Sequence, residues 1–576
     1  MELRPYLQSH KVIPERVVQD AINNSVKNRR TLFEELLTNC GQYEVDEKLV
    51  LKVAEDASDG EVRVLTTTKG LKPYLQGYRD LGGVEVCVTA QVLCVSDEED
   101  TIVFVMMRPD DTALLHKIDR VMNGVPYSIA IAPSFIFKTI HDTDVEPLRI
   151  EAMSSNLSAE TDNRKEDTGV KRESEARRIY TSMLNLGIDR GASDIHIMPL
   201  QDKCHILYRI DGTNYKLMEI PKEIGERISN ILCTDASVQR KGELTAADGK
   251  VRYIPQGDGR RDTKPRDLRF SILPSTKGTD INVRYLNDKM YTFEQLGMSE
   301  RNVRLYKELL ARPQGLIMQV GPTGSGKSTT LYTGLQYIRQ QTLRNIITVE
   351  DPVEIYMDGI TQVSTNDKSG LTFANVIRQF LRHDVDVGIV GEIRDEETAL
   401  EAVRAATTGH LIISSLHTND SIGVFERLIR LGVDSYTLGD VLVAIMSQRL
   451  VRRLCPHCKE KYELKLSDPK ARHFRLPEGE GTMPFYRAVG CEHCHNIGYS
   501  GRVAVNEILQ IDGQMRHFIQ MHSPRQKYEE YLRGKGFITM YADALEKAKA
   551  GFTSLEELEP MCSDTLAFKA DDQVAN

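Results

Sequence analysis

The stretch GPTGSGKSTT, from Gly321 to Thr330, has the residue types and spacing of a phosphate-binding loop. It fits the pattern G-x-x-x-x-G-K-[S/T], in which the glycines let backbone N–H groups face a phosphate. Lys327 would reach the β- and γ-phosphate oxygens, and the Ser328 hydroxyl would bind Mg²⁺. An apolar strand precedes the loop and a helix follows it, a context that argues against a chance glycine-rich turn. The predicted nucleotide-binding residues are Gly321, Pro322, Thr323, Gly324, Ser325, Gly326, Lys327, Ser328, Thr329 and Thr330.

Acidic residues follow two other apolar runs. In VDVGIVGEIRD a strand predicted over residues 385–390 leads to Glu392, at the edge where open α/β sheets bind ligands. Glu392 is therefore a candidate for positioning Mg²⁺ or water, and the alternative is a surface pair with Arg394. In NIITVEDPVE a proline ends the strand, so either Asp351 or Glu354 is available as a general base or to hold a metal-bound water.

Two histidines flank a third apolar run in TTGHLIISSLHTND. The strand is predicted over residues 411–416, with His410 before it and His417 after it. A histidine at the carboxyl end of a strand beside a phosphate site suits contact with the γ-phosphate, which favours His417 over His410. The alternative for both histidines is a purely structural role, and this alternative is stronger for His410.

Four of the ten cysteines form two C-x-x-C pairs, CPHC and CEHC, and the other six are scattered as expected of buried thiols. Each pair presents two thiolates to one tetrahedral ion, and four thiolates make a closed, structural site. A redox dithiol is the weaker alternative because no thioredoxin-like pattern surrounds the pairs. We predict a zinc (Zn²⁺) site at Cys455, Cys458, Cys491 and Cys494.

The elements around these motifs predict a multidomain α/β protein. Helical patterns and then short strands, among them the runs VEVCVTAQVLCV and TIVFVMM, fill residues 1–150. A polar segment at 151–175 is typical of a flexible linker. Alternating strands follow one helix in residues 176–290. Strands and helices then alternate in residues 291–576, which indicates a mostly parallel sheet, with the cysteine pairs in a subdomain at 452–500.

Composition and charge narrow the classes of function. The chain has 576 residues and a net charge of −9, which argues against nucleic acid as a direct partner. The longest apolar run, YSIAIAPSFIF, is about half the ~20 residues that a spanning helix needs, and the N-terminal residues lack the apolar core of a signal peptide. We therefore expect a cytoplasmic protein that contacts membranes only through partners.

Taken together, GPTGSGKSTTLY, ITVEDPVE, VGEIRD and TGHLIISSLHTN resemble the motifs of the secretion-type traffic ATPases, the motors of type II secretion and type IV pilus assembly. The resemblance covers about residues 176–560. It implies a RecA-like ATPase core preceded by a PAS-like α/β domain, to which ASDIHI and YRIDGT are similar. It also implies that Glu354 is the catalytic acid, Glu392 the Walker B glutamate and His417 the γ-phosphate contact. Arg269 and Arg284 would supply arginines to the nucleotide, unless they form surface ion pairs.

The same resemblance implies a homo-hexamer that works at the inner membrane with a platform protein and the cytoplasmic parts of the pilus or secretion machinery. A tetracysteine insertion and an N-terminal module mark assembly and secretion motors rather than retraction motors, so we expect pilus extension, with type II secretion as the alternative. A type IV secretion or conjugation ATPase and a non-hydrolysing scaffold are further alternatives. TLFEELLTNCG departs from the cyclic-di-GMP motif of some pilus-assembly motors, and we expect no such binding.

Overall fold

The computed structural model describes residues 3–28, 30–58, 61–68, 70–109, 111–163, 169–238, 245–255, 264–286, 289–418, 420–477 and 479–562. The chain divides into two compact units. One contains Met1–Leu286 and Gly490–Gly498, and the other contains Asn287–Val489 and Tyr499–Asn576. No helix in the described part of the chain has both the length and the apolar character needed to span a bilayer.

Four helices open the first unit and share a small apolar core. The second of them buries Val18 and Ala21, which lie three residues apart on one face. The third and fourth begin where the side chains of Thr31 and Asp46 accept hydrogen bonds from backbone N–H groups of the first turn. The helices are α1 (Leu3–His10), α2 (Glu15–Asn28), α3 (Leu32–Thr38) and α4 (Glu47–Asp56).

A five-stranded sheet follows, in the order β1-β5-β4-β3-β2. Its central strand is buried along its whole length, which explains the continuous apolar run in the sequence. The strands are β1 (Val62–Val64), β2 (Lys72–Pro73), β3 (Val92–Ser96), β4 (Ile102–Met106) and β5 (Tyr127–Ile131). The helices between and after them are α5 (Leu75–Asp80), α6 (Val84–Thr89), α7 (Thr112–Met122) and α8 (Ser134–Ile140), with a π-helical turn at His141–Val145.

One strand prediction in this module is wrong. The run VEVCVTAQVLCV was expected to be β-structure, but its first half, VEVCVT, forms helix α6, in which only Cys87 is buried and Val86 is 42% exposed. The next residues supply β3, whose inner positions are fully covered. The segment that forms β3 buries more apolar surface in the sheet than VEVCVT would, so it takes the strand position despite the β-preference of the valines in VEVCVT.

Two long helices reach into the segment that the sequence predicts to be a linker. Helix α9 (Glu146–Asn163) enters it from one side and α10 (Gly169–Asp189) from the other. Residues 164–168 lie outside the described residues, so the flexible linker and the domain boundaries built on it stay predictions.

A six-stranded antiparallel sheet forms the rest of the first unit, in the order β8-β7-β6-β11-β10-β9. Its strands alternate between buried apolar and exposed polar residues, as expected when one face is covered by helices. Helices α10 and α11 (Lys222–Asp235) supply the apolar side chains on that covered face. The strands are β6 (Ala192–Pro199), β7 (Lys203–Ile210), β8 (Thr213–Pro221), β9 (Ala247–Tyr253), β10 (Arg266–Ser275) and β11 (Gly278–Tyr285).

A seven-stranded sheet forms the centre of the second unit, in the order β14-β13-β15-β16-β12-β17-β20. All neighbours are parallel except β17 and β20. Alternate residues of β12 belong to two different apolar cores, so both faces are covered and the strand is buried throughout. The strands are β12 (Gly315–Val320), β13 (Ile346–Glu350), β14 (Thr361–Ser364), β15 (Val387–Val390), β16 (Leu411–Leu416), β17 (Leu442–Leu454) and β20 (Tyr499–Gln510).

The remaining elements of the second unit surround this sheet. A two-stranded ribbon of β18 (Glu460–Lys465) and β19 (Thr482–Arg487) stands apart from it as a separate sheet. The helices are α12 (Glu300–Leu310), α13 (Lys327–Gln341), α14 (Phe373–Phe380), α15 (Glu396–Thr407), α16 (Gly423–Arg430), α17 (Ser435–Val441), α18 (Pro469–His473), α19 (Gly513–Gln520), α20 (Arg525–Gly534) and α21 (Met540–Lys549). The expected multidomain α/β architecture is confirmed.

Candidate functional site

The candidate site lies at the carboxyl edge of the seven-stranded sheet. Strands β13, β15, β16 and β12 are parallel and adjacent, so the residues after each of them emerge at one edge. The registers align Val320 with Leu416 and Val390 with Ser414. The phosphate loop, the segment around His417 and the segment around Glu392 therefore stand side by side.

The phosphate loop has the conformation that its glycines permit. Gly321, Gly324 and Gly326 all have positive φ angles, +144°, +79° and +85°, a region that other residues rarely adopt. A Cβ atom at Gly321 would lie 2.3 Å from the Gln448 carbonyl oxygen, whereas one at Gly324 would meet nothing within 4 Å. The loop is thus packed tightly on its inner side and open at Gly324. This cradle fits an anion approached by backbone N–H groups.

Lys327 begins helix α13 and lies over the loop. Its ammonium group donates hydrogen bonds to the carbonyl oxygens of Gly321, at 2.7 Å, and Pro322, at 3.1 Å. Burial lowers the pKa of Lys327, and attraction to the Glu392 carboxylate opposes that shift. The lysine and the glutamate therefore belong to one electrostatic site, and the exposed hydroxyl of Ser328 follows on the same helix.

Glu392 contacts two side chains at the same edge. One of its carboxylate oxygens lies 3.5 Å from Nε2 of His417, and the other pairs with the guanidinium of Arg394. Arg394 also donates to Asp351 at 3.3 Å. The Glu392 side chain is 18% exposed and that of Arg394 is 60% exposed. The surface pair considered as the alternative is thus present, but it coexists with the contact to His417.

The last residue of β13 is a buried carboxylate, and the segment after it carries two exposed ones. Glu350 is buried and accepts hydrogen bonds from Tyr332 and, at 2.6 Å, from Thr348. Burial and the Glu350 carboxylate raise the pKa of Tyr332. The Tyr332 hydroxyl also lies 3.4 Å from the backbone nitrogen of Glu354, whose side chain is exposed. The structure therefore places Glu350 in a structural role and leaves Asp351 and Glu354 at the surface of the edge.

His410 lies at the amino end of β16, where its carbonyl accepts from Gly315 at the start of β12. Its Nδ1 atom is 3.0 Å from the Ala405 carbonyl oxygen and 3.1 Å from the Thr408 hydroxyl. This is the sheet edge opposite the phosphate loop, so the structural alternative holds for His410.

Arg269 and Arg284 face each other across β10 and β11 in the first unit. Arg284 donates to the buried carboxylate of Asp194 at 2.7 Å, while its own side chain is 51% exposed. Arg269 is exposed. The surface ion pair is therefore present for Arg284, and a role for either arginine toward nucleotide stays a prediction.

The four predicted zinc ligands come together. The sulfur atoms of Cys455, Cys458, Cys491 and Cys494 all lie within 4.8 Å of one another. Those of Cys491 and Cys494 are 3.8 Å apart, and a tetrahedral zinc at about 2.3 Å from each sulfur requires about the same separation. Backbone N–H groups of Cys491 and Gly498 lie 3.3 Å and 3.1 Å from the Cys494 sulfur and fix its position in the cluster.

Sequence reasoning missed Gln448 and Asn506, which lie opposite each other on β17 and β20 behind the phosphate loop. Both are buried. A polar residue inside the apolar run LVAIMSQRLV was the available signal, because a buried amide requires partners.

Comparison with known proteins decides the family. A family model described as "Type II/IV secretion system protein" matches residues 170–560. The "Type II secretion system ATPase E" of Vibrio cholerae is 38% identical over 387 residues, which cover 66% of this chain and 74% of that protein. The chain belongs to the type II/IV secretion system protein family.

Proteins named as type II secretion ATPases and proteins named as type IV pilus assembly ATPases are both similar to the chain. The "Type IV pilus assembly ATPase PilB" of Pseudomonas aeruginosa is 35% identical over 428 residues, covering 74% of this chain and 73% of that protein. The X-ray structure of the Legionella pneumophila ATPase DotB matches with a TM-score of 0.50 at 20% identity, covering 69% of this chain and 97% of that one. The fold of this secretion-family chain therefore includes the expected RecA-like core.

Proposed function

We propose that this chain hydrolyses ATP to power the extension of a type IV pilus. The observation that carries the proposal is that the phosphate loop, Glu392 and His417 lie together at one edge of a parallel sheet. The Glu392 carboxylate also attracts the Lys327 ammonium group electrostatically. A scaffold that only bound nucleotide would not need the acid and the histidine beside the loop. The family and its ATPase-named relatives support the same conclusion.

Each residue at the carboxyl edge of the sheet has its own role in the proposed phosphoryl transfer. The loop N–H groups and the Lys327 ammonium bind and orient the phosphates. Glu392 is set to hold water or take its proton, and His417 orients that carboxylate from 3.5 Å away. Glu354 is exposed at the same edge and is a second candidate for the base. Mg²⁺, held at the Ser328 hydroxyl, would offset charge on the phosphate oxygens.

The tetracysteine cluster is proposed to hold a structural zinc ion. Its four thiolates leave no open position for substrate, which separates it from the site of hydrolysis. The combination of this cluster with an N-terminal module is what the resemblance to assembly and secretion motors implies.

Type II secretion is the second candidate function. It is favoured by the 38% identity to the Vibrio cholerae secretion ATPase, against 35% to the Pseudomonas pilus ATPase over a longer match. Under either function we propose a cytoplasmic homo-hexamer that contacts the inner membrane through a platform protein. Arg269 and Arg284 would then act on nucleotide within that ring. The net charge of −9 weighs against a conjugation ATPase that moves DNA.

The first test is phosphate release from the purified full chain. Lys327→Ala should lower the rate by about a hundredfold or more, because it removes charge stabilisation that strengthens in the transition state. Lys465→Ala, an exposed lysine on β18, is the matched control and should leave the rate unchanged. Activity unchanged in Lys327→Ala would refute ATP hydrolysis at this site.

The second test separates the two functions. Glu392→Gln is placed on the chromosome of the source organism, and surface pili and secreted enzymes are scored in the same cultures. Loss of pili with normal secretion supports pilus extension. Loss of secretion with normal pili overturns it in favour of the type II secretion motor.

A further inference from the structure

Gln448 contacts the phosphate loop from behind, through its side chain. It is 3% exposed and lies on β17, directly after Ser447, which pairs with the last residue of β12. Its amide nitrogen donates to the Ser325 carbonyl oxygen at 2.7 Å. Its amide oxygen accepts from the Thr330 hydroxyl at 2.8 Å. A single side chain thus joins the middle of the loop to the first turn of helix α13.

The orientation of this amide is fixed by its partners. The Ser325 carbonyl can only accept, so it must face the amide nitrogen of Gln448. The Asn506 amide nitrogen can only donate, and it lies 2.8 Å from the Gln448 oxygen. With these three hydrogen bonds the buried oxygen and nitrogen of Gln448 are both satisfied, and no other amide orientation satisfies them.

Close packing against Gln448 explains why the loop has glycine at positions 321 and 326. A Cβ at Gly321 would lie 2.3 Å from the backbone oxygen of Gln448, and one at Gly326 would lie 2.8 Å from its side-chain nitrogen. The loop is therefore pressed against Gln448 at both of its defining glycines. Because the contact is this close, a shift of Gln448 would shift the loop as well.

Gln448 is held in turn by a buried polar chain that ends in helix α21. The backbone N–H of Asn506 donates to Asp543 at 2.9 Å, and Lys547 pairs with the same carboxylate at 2.5 Å. Lys547 also donates to the Ala504 carbonyl at 2.6 Å. Since Asp543 and Lys547 are 2% and 7% exposed, water does not compete for these contacts.

We propose that Gln448 is the positioning residue of the phosphate loop, holding Ser325 and Thr330 so that the loop N–H groups already face the phosphates. The proposal rests on the proposed binding of ATP and adds to it the residue that sets the geometry of the binding loop. It assigns Gln448 no contact with nucleotide. Its effect on the reaction passes through Ser325, Thr330 and the two packed glycines.

The test is Gln448→Met, which keeps the length of the side chain but removes its donor and its strong acceptor. The Kd for MgADP should rise about tenfold, because loop N–H groups that are no longer held must be ordered on binding. Hydrogen exchange of the amides of residues 321–330 should accelerate by about the same factor in the nucleotide-free protein. Exchange is a readout that does not depend on turnover.

Leu509→Ala is the control for general destabilisation. Leu509 is buried on the same strand as Asn506, and its side chain forms no hydrogen bonds. This variant should lower the melting temperature, yet keep the MgADP Kd and the exchange of loop amides within about twofold of the unsubstituted chain. The same twofold agreement for Gln448→Met would overturn the proposal.

A second variant keeps the proposal testable if Gln448→Met does not fold. Gln448→Leu keeps a similar side-chain volume and removes both the donor to Ser325 and the acceptor for Thr330 and Asn506. It should still accelerate loop exchange and weaken MgADP binding, and wild-type values for both would overturn the proposal. An unsubstituted chain that binds neither MgADP nor MgATP would instead refute the proposed function itself, which separates the two failures.

Discussion

The Glu392 carboxylate and the His417 imidazole lie 3.5 Å apart, although 24 residues separate them in the chain. They meet because β15 and β16 are parallel neighbours and each residue follows the end of its strand. The Glu392 side chain is largely covered, whereas that of His417 is 52% exposed. The His417 ring therefore contacts the Glu392 carboxylate on one side and solvent on the other, and under the proposed function the phosphate would bind on the solvent side.

His417→Asn should lower phosphate release by about a hundredfold with a much smaller change in the Kd for MgADP. The reason is that the substitution removes the group that we propose orients Glu392 and contacts the γ-phosphate, which ADP lacks. His410→Asn is the matched control, since His410 lies at the opposite edge of the sheet and contacts the Ala405 carbonyl. Equal losses of rate in both variants would show that β16 is merely sensitive to substitution.

Gly321→Ala should abolish measurable nucleotide binding even where the protein still folds. A left-handed alanine alone costs about 1–2 kcal/mol, but here the new Cβ also meets a backbone oxygen at 2.3 Å and the loop must move. Gly409→Ala carries similar backbone strain, with φ of +103° and no atom closer than 3.8 Å. It should lower the melting temperature and leave the MgADP Kd within about twofold. Titration with MgADP followed by calorimetry measures both variants.

Much of the sheet edge follows from local sequence because each motif there is short and contiguous. The strand predicted over residues 411–416 has those bounds, and the strand before Glu392 begins at Val387 rather than two residues earlier. Parallel strands bury both faces, so their continuous apolar runs are easy to recognise. The acids and histidine that follow such runs then fall at one edge.

The features that the sequence predicted wrongly or missed depend on residues far apart in the chain. VEVCVT has the alternation of a strand and is a helix, since the sheet position is filled by the segment after it. Gln448 and Asn506 were missed because their roles arise only when β17 and β20 pair, across 58 residues of sequence. The engagement of Arg394 by both Glu392 and Asp351 likewise requires two strands to be adjacent.

Cys455→Ser should reduce bound zinc from about one ion per chain to a small fraction of that, since three thiolates hold zinc less tightly than four. Elemental analysis of the purified chain measures this directly. Cys40→Ser is the control, because Cys40 lies outside the cluster and should leave the zinc content unchanged. Full zinc in Cys455→Ser would refute the four-cysteine site. The Kd for MgADP should be unaffected in both variants.

Glu507 introduces a pH dependence that opposes the usual behaviour of a carboxylate. It lies on β20, accepts hydrogen bonds from the Ser421 hydroxyl at 2.6 Å and the Met540 N–H at 3.0 Å, and is buried. Burial raises the pKa of Glu507, the nearby Asp420 carboxylate raises it further, and the two hydrogen bonds only partly offset this. Between the ordinary glutamate pKa of 4.5 and the raised value, the folded chain keeps a proton that the unfolded chain has lost.

Stability therefore falls as pH rises through that window, because the folded state binds more protons than the unfolded state. Glu507→Gln imitates the protonated form at every pH, so its melting temperature relative to the unsubstituted chain should increase from pH 5 to pH 8. Glu480→Gln, at an exposed carboxylate, should show a difference that does not change with pH. Thermal melts of the three proteins across this range measure the effect. A constant difference for Glu507→Gln would mean that the carboxyl stays ionised in the folded chain and that its contacts with Ser421 and Met540 outweigh its burial.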